Sequence, residues 1–94
     1  MDLFTIQLTR AAADDLDCIP DELRHKLLSE IQNLAINPFI HGGSIKKLKG
    51  FKPPLYRFRS GDFRIIYHVE GPLITIMRII NRKELEKIIK RMKQ

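Results

Sequence analysis

The chain reads as an α+β fold, with one strand, a pair of helices, a run of three strands and a last helix. Three observations predict it. Residues 21–34 carry apolar side chains at helical spacing, residues 55–69 switch to a period of two, and residues 85–92 return to a helical stripe. With 94 residues, 44% hydrophobic and 30% charged, the chain is expected to form one domain, 1–94, near the lower size limit for an independent core.

Asp2 to Leu8 alternates loosely and predicts a short first strand. Thr9 then suits an N-cap, because its hydroxyl accepts an orphan backbone N–H, and Ala11, Ala12 and Ala13 favour a helix that ends near Asp17. Pro20-Asp21-Glu22 starts a second helix, since proline fits the first turn and early carboxylates suit the positive end of the helix dipole. Leu23, Leu27, Ile31 and Leu34 form its apolar stripe, Arg24, Glu30 and Gln32 face water, and Asn37-Pro38 ends it. The two helices make a hairpin whose shared apolar face needs a sheet to cover.

His41-Gly42-Gly43-Ser44 reads as a flexible loop, and Lys46, Lys47, Lys49 and Lys52 as a basic edge on that loop up to Pro53-Pro54. From Leu55, Tyr56 and Phe58 face one side and Arg57 and Arg59 the other. Ser60-Gly61-Asp62 is a turn. The next strand, Phe63 to Val69, puts Phe63, Ile65, Tyr67 and Val69 on one face and Arg64, Ile66 and His68 on the opposite one. Glu70-Gly71 turns again, and the nearly all-apolar run Leu73 to Ile80, interrupted by Arg78, is expected as a central strand covered on both faces. Asn81 caps a last helix, in which Leu85, Ile88, Ile89 and Met92 lie beside Lys83, Lys87, Lys90, Arg91 and Lys93. That stripe suits docking on the sheet; a cationic amphipathic helix on a membrane surface is the competing reading.

The formal charge is +6, with 17 basic and 11 acidic side chains. Its distribution says more. Residues 1–44 hold 3 basic and 7 acidic side chains and residues 45–94 hold 14 and 4, which points to a cationic face and an anionic partner rather than uniform solubilising charge. The single cysteine, Cys18, excludes an internal disulfide, provides no pair for a metal site and fits a reducing cytoplasm, where it serves as a small apolar side chain. No apolar run approaches the roughly 18 residues of a membrane span, and Met1 to Arg10 lacks the features of a signal peptide, so a cytoplasmic protein is expected.

The chemistry concentrates in the arginines. In adjacent antiparallel strands, alternation brings Arg57, Arg59 and Arg64 to one face, within reach of one anion. Guanidinium stays protonated and offers a planar fork of donors, so three of them suit a phosphodiester and the charge that grows on it in a transition state. Arg82, just after the last strand, supplies a fourth cation, although its place at a helix start is unfavourable for the dipole. The structural alternative is a solvated sheet face that resists aggregation. His25, His41 and His68 share no ligand spacing, so no metal and no cofactor are expected. His68 alone falls on the arginine face, either as a satisfied strand residue or as a proton-transfer group. Ser44 and Ser60 have no neighbouring base pattern, and there is no phosphate-binding glycine motif.

Leu34-x-x-Asn37-Pro38, then Lys47-Leu48-Lys49-Gly50, then Tyr56-Arg57-Phe58-Arg59-Ser60-Gly61-Asp62-Phe63-Arg64-Ile65-Ile66-Tyr67, then Ile80-Asn81-Arg82-Lys83-Glu84 resemble the consecutive signatures of the RelE/ParE toxin superfamily. The resemblance spans almost the whole chain and favours the RelE-like branch. It implies a RelE-like fold, an antiparallel-type four-stranded sheet packed by an N-terminal helical hairpin, with a C-terminal helix. It also implies the toxin of a type II toxin-antitoxin pair, neutralised by an acidic antitoxin lying over the basic face and the C-terminal helix. RelE-like members enter the ribosomal A site and cut mRNA, whereas ParE-like members bind DNA gyrase without cutting RNA. A non-toxic relative acting only within a DNA-binding complex is a third reading.

On the leading reading, a ribosome-dependent endoribonuclease, an RNA 2′-hydroxyl attacks the adjacent phosphate without a metal. The resemblance then assigns catalysis to four residues: Arg57 and Arg59 position the phosphate, Arg64 takes transition-state charge, and Arg82 serves the leaving oxygen. Lys46, Lys47, Lys49 and Lys52 add RNA contacts, and Glu86 and His68 are the candidates for proton transfer. The chain departs from the pattern in one place. Many relatives read His-Arg and then a tyrosine, where this chain has Asn81-Arg82 and Glu86.

Overall fold

The computed structural model describes residues 4–39 and 43–93. The start of the expected first strand and His41-Gly42 lie outside the described residues. Strand β1 (Thr5–Leu8) is followed by helices α1 (Arg10–Asp17) and α2 (Asp21–Leu34). Strands β2 (Ile45–Leu48), β3 (Leu55–Ser60), β4 (Phe63–Glu70) and β5 (Leu73–Asn81) come next, then a 3₁₀ turn (Arg82–Glu84) and helix α3 (Leu85–Met92).

The sheet has the order β1-β5-β4-β3-β2, with β2 to β5 an antiparallel meander and β1 parallel to β5. The four-stranded antiparallel-type sheet and N-terminal hairpin that the resemblance implies are thus corrected to five strands and mixed pairing, with the helix pair following a strand, as the order of elements read from the sequence has it. The extra strand is β2, which replaces the expected loop around Lys46 and Lys47. Its four residues put two lysines at the centre of an edge strand, where charge discourages pairing with another chain.

The helix pair covers one sheet face. Ala12, Ile19, Leu27, Ile31 and Leu34 pack with Ile65, Tyr67, Ile74, Ile76 and Ile79, all nearly inaccessible to water. Leu23 was expected in this stripe but is 45% exposed, because the start of α2 lies beside the β3–β4 turn, where the sheet runs out. Helix α3 covers the other face, with Ile88 buried against Leu55, Ile66 and Ile80, and Leu85, Ile89, Met92 and Met77 packed around them. The apolar stripe of α3 is therefore docked on the sheet. Among the described residues no helix is long and apolar enough to cross a membrane.

Thr9 caps α1 as its position requires, accepting from the Ala12 N–H at 3.1 Å. The same hydroxyl donates to the Met77 carbonyl at 2.8 Å, at the register shift opposite Ile66 and Tyr67. Beyond that shift β1 has ended, and α1 takes over the exposed edge of β5. Asp15 accepts from Arg78 Nε at 2.7 Å, from Arg78 Nη2 at 3.0 Å and from the Ile79 backbone N–H at 3.0 Å. The arginine that interrupts the apolar run thus closes the sheet edge, and its carboxylate partner holds its pKa above the ordinary value.

Candidate functional site: an arginine cluster on the sheet

The pairing of β3 with β4 sets Arg59 directly opposite Arg64, and Arg57 opposite Ile66. All three arginines share the parity of Leu55 and Ile66, so they rise on the face that α3 packs against. Lys46 pairs with Arg57 and extends this row onto β2. Like charges opposed across a ladder destabilise a sheet, so the fold carries a cost here that packing does not explain. The Arg57 Nε is buried with no hydrogen-bond partner among the described residues. A buried guanidinium N–H left open carries an energetic cost.

The β3–β4 turn holds the next two groups. Gly61, at φ +57°, supplies the left-handed residue that reverses the chain in two residues. Arg64 folds back over this turn, Nη1 donating to the Gly61 and Phe63 carbonyls, both at 2.9 Å. The Arg82 backbone N–H donates to the Asp62 carbonyl at 2.8 Å, and Arg82 Nε lies 3.7 Å from Asp62 Oδ1. The end of β5 is thereby tied to the turn. Partial burial lowers the Arg64 pKa, and the neighbouring charges of Arg57, Arg59 and Arg82 lower it further, while Asp62 acts in the opposite direction. Arg57, Arg59 and Arg82, predicted from sequence with Arg64, thus all lie near enough to act on it.

The other predicted residues divide. Lys46 joins the arginine row, whereas Lys47 pairs with Tyr56 and so falls on the opposite face. Lys49 and Lys52 are exposed on the segment after β2, lining an open cleft with Gly50, Phe51 and Pro54. His68 shares the arginine face, as parity requires, but sits opposite Leu55 in an apolar cleft with Phe51, Pro53, Met77 and Met92. Four strand residues, about 13 Å, separate it from Arg64. Its Nδ1 is buried and 3.5 Å from Glu70 Oε1, too far for a good hydrogen bond. Glu86 is exposed in the first turn of α3 and makes no hydrogen bond or ion pair among the described residues. Among those residues no three His, Cys, Asp or Glu side chains come together to hold a metal.

Comparison with known proteins places the chain in a family. Residues 6–86 match the model of the ParE toxin of type II toxin-antitoxin systems. The chain belongs to that family. No match was found among curated proteins. Among solved structures, the toxin is similar to the archaeal RelE-RelB complex from Pyrococcus horikoshii OT3, at 25% identity and TM-score 0.73, covering 85% of this chain and 96% of that one. It is also similar to the RelB-RelE complex from Methanococcus jannaschii, at 26% identity and TM-score 0.68, covering 86% and 95%. The isolated E. coli RelE toxin shares the fold, at 16% identity and TM-score 0.70, covering 95% and 98%. These neighbours agree with the RelE-like branch of the superfamily.

Where many relatives carry histidine, this toxin has Asn81, and the structure gives that residue a different task. Its side chain accepts from the Lys83 backbone N–H at 3.0 Å and starts the 3₁₀ turn that aims Arg82. No tyrosine replaces the missing one. Tyr67 is fully buried on the helix-pair face and donates to the Pro38 carbonyl at 2.6 Å; burial, with Tyr56 beside it, raises its pKa and keeps it neutral. Sequence reasoning read Asp62 only as a turn residue. The signal available was its position between Arg59 and Arg64, the one carboxylate in a stretch of cations.

Proposed function

We propose that this toxin is a RelE-like, ribosome-dependent endoribonuclease that cuts mRNA in the A site. The observation that carries the reading is the opposition of Arg59 and Arg64 across the ladder, with Arg57 on the same face and Arg82 tied to the adjoining turn through Asp62. The mRNA 2′-hydroxyl attacks the adjacent phosphorus and the bond to the 5′-oxygen of the next nucleotide breaks. A 2′,3′-cyclic phosphate and a 5′-hydroxyl result. Two equatorial oxygens of the phosphorane gain charge as the bond forms, and fixed guanidiniums stabilise that charge in the transition state more than in the ground state. Arg57 and Arg59 hold the phosphate, Arg64 meets the developing charge, and Arg82 serves the leaving oxygen.

Arginine gives up a proton reluctantly, so this chemistry leans on electrostatics rather than on general base catalysis. His68, away from the cluster, and Glu86, exposed and unpartnered among the described residues, remain the candidates for proton transfer. Lys46, and with it Lys47, Lys49 and Lys52, contributes sequence-independent phosphate attraction. A cognate antitoxin is the expected partner, since the similar archaeal RelE proteins are seen in complex with RelB. Its acidic surface would cover the cationic face.

Primer extension on a message translated by purified ribosomes, with the toxin freed of antitoxin, tests the reading. New 5′ ends at the A-site codon are expected. Arg64→Ala or Arg82→Ala should lower the cleavage rate by about 10²–10³, the usual loss of a transition-state donor, without loss of fold. An intact message from folded wild-type toxin would reject the nuclease reading in favour of gyrase binding.

A further inference from the structure

We propose that Asp62 is a positioning residue of the arginine site, a built-in counterion that holds Arg82 while the site is empty and yields it to an RNA phosphate. Its catalytic arm rests on the nuclease reading above, whereas its binding arm needs only an anion site. Consecutive residues of the β3–β4 turn divide the two arginines between them. The Gly61 and Phe63 carbonyls hold Arg64, and the Asp62 carbonyl and carboxylate hold Arg82. One turn therefore aligns the two groups assigned to the developing charge and the leaving oxygen.

The two contacts to Arg82 differ in strength, and the difference gives the device its function. The backbone bond, at 2.8 Å, is short and fixes where Arg82 begins. The side-chain pair, at 3.7 Å, is long, with Arg82 60% and Asp62 74% exposed. Such a pair is screened by water and opens readily. A phosphodiester offers the same charge with oxygens spaced for a guanidinium fork, so it displaces the carboxylate while the backbone tether keeps Arg82 beside the turn. In the empty site Asp62 also offsets the repulsion that Arg57, Arg59 and Arg82 exert on Arg64. Without it Arg82 keeps its backbone tether and loses the carboxylate that draws its guanidinium toward the turn.

Asp62→Asn preserves size and removes the charge. Asp14→Asn makes the same charge change on exposed α1, across the sheet, and serves as control. The binding probe is a short single-stranded RNA with a 2′-deoxy nucleotide at the cut position, and kinetics are read on translating ribosomes. Asp62→Asn should bind the probe about two- to fivefold more tightly, the span of an exposed ion pair, with a steeper loss on adding salt. KM should fall by the same factor, and kcat should fall at least about threefold because Arg82 loses its aim. Asp62→Glu should restore kcat to within about twofold. In an Arg82→Ala background Asp62→Asn should change the Kd by less than about twofold, because the group it competes for is gone.

The proposal is overturned if Asp62→Asn matches Asp14→Asn in binding, binds more weakly, or leaves kcat unchanged in an active toxin. An unchanged melting temperature excludes a folding defect. If wild-type toxin cuts nothing while the binding difference and its loss in the Arg82→Ala background persist, the nuclease reading fails and the counterion role stands.

Discussion

Arg59 and Arg64 illustrate what a single strand pairing brings together. A solvated sheet face would alternate charges across the ladder, and here two guanidiniums oppose each other with Arg57 and Arg82 close enough to depress the Arg64 pKa. Their shared face was legible from a period of two. What the sequence did not show was the grip of the turn on Arg64 and Arg82, because a backbone carbonyl leaves no trace in residue identity. Tyr67 belongs to the same scale. Its hydroxyl donates to the buried Pro38 carbonyl, and burial raises its pKa above the ordinary 10.0. The unfolded chain ionises this hydroxyl at lower pH than the folded one does, so its contribution to stability is whole below pH 10.0 and is lost as pH rises through the folded value. Tyr67→Phe should cost about 1–3 kcal/mol at neutral pH by stranding the carbonyl. Urea titrations at about pH 9 and about pH 11 should show wild type losing up to ~1.4 kcal/mol more per pH unit than the variant. Equal losses would remove Tyr67 from the account.

The elements with a strong local signal were legible. Thr9, Pro20 and Asn81 announce the starts of α1, α2 and the turn into α3, and the period switch at Leu55 announces the meander. Strand β2 was not legible, since Ile45-Lys46-Lys47-Leu48 is too short for a periodic signal and its lysines read as loop charge. The parallel seat of β1 beside β5 depends on partners 68 residues apart, as in the pairs Thr5 with Leu73 and Leu8 with Ile76, and no local pattern encodes them. Arg78 stood out as an interruption, but its meaning needed Asp15. That carboxylate joins α1 to the edge of β5 through three hydrogen bonds, one of them to backbone. Asp15→Ala should therefore destabilise the fold by about 2 kcal/mol, the scale of a hydrogen bond to a charged group, and should leave RNA binding unaltered. Urea unfolding with the binding assay in parallel checks it, and a loss below about 0.5 kcal/mol would mean that β5 needs no such cover.

For the molecule as a whole, the fold separates two jobs between two faces. The helix pair and one face of the sheet make the larger core, while the other face shares its area between α3 and the arginines. Concentrating cations beside a core in a chain of 94 residues lowers stability until an anion arrives. Phosphate should therefore raise the melting temperature more than chloride at equal ionic strength, because binding to the folded state adds to screening. Each ~1 kcal/mol gained corresponds to about 4–8 °C in a domain of this size. The excess should vanish in an Arg59→Ala, Arg64→Ala variant. Identical melting in the two salts would mean that the arginines screen one another without forming an anion site. The central claim is that these four guanidiniums act on an attack by the RNA's own 2′-hydroxyl, and a message with a single 2′-deoxy nucleotide at the cut position tests it most directly. The account predicts that translating ribosomes with added toxin cut the all-ribose message, leaving a 2′,3′-cyclic phosphate, and spare the deoxy message at that position. Equal cutting of both would contradict it.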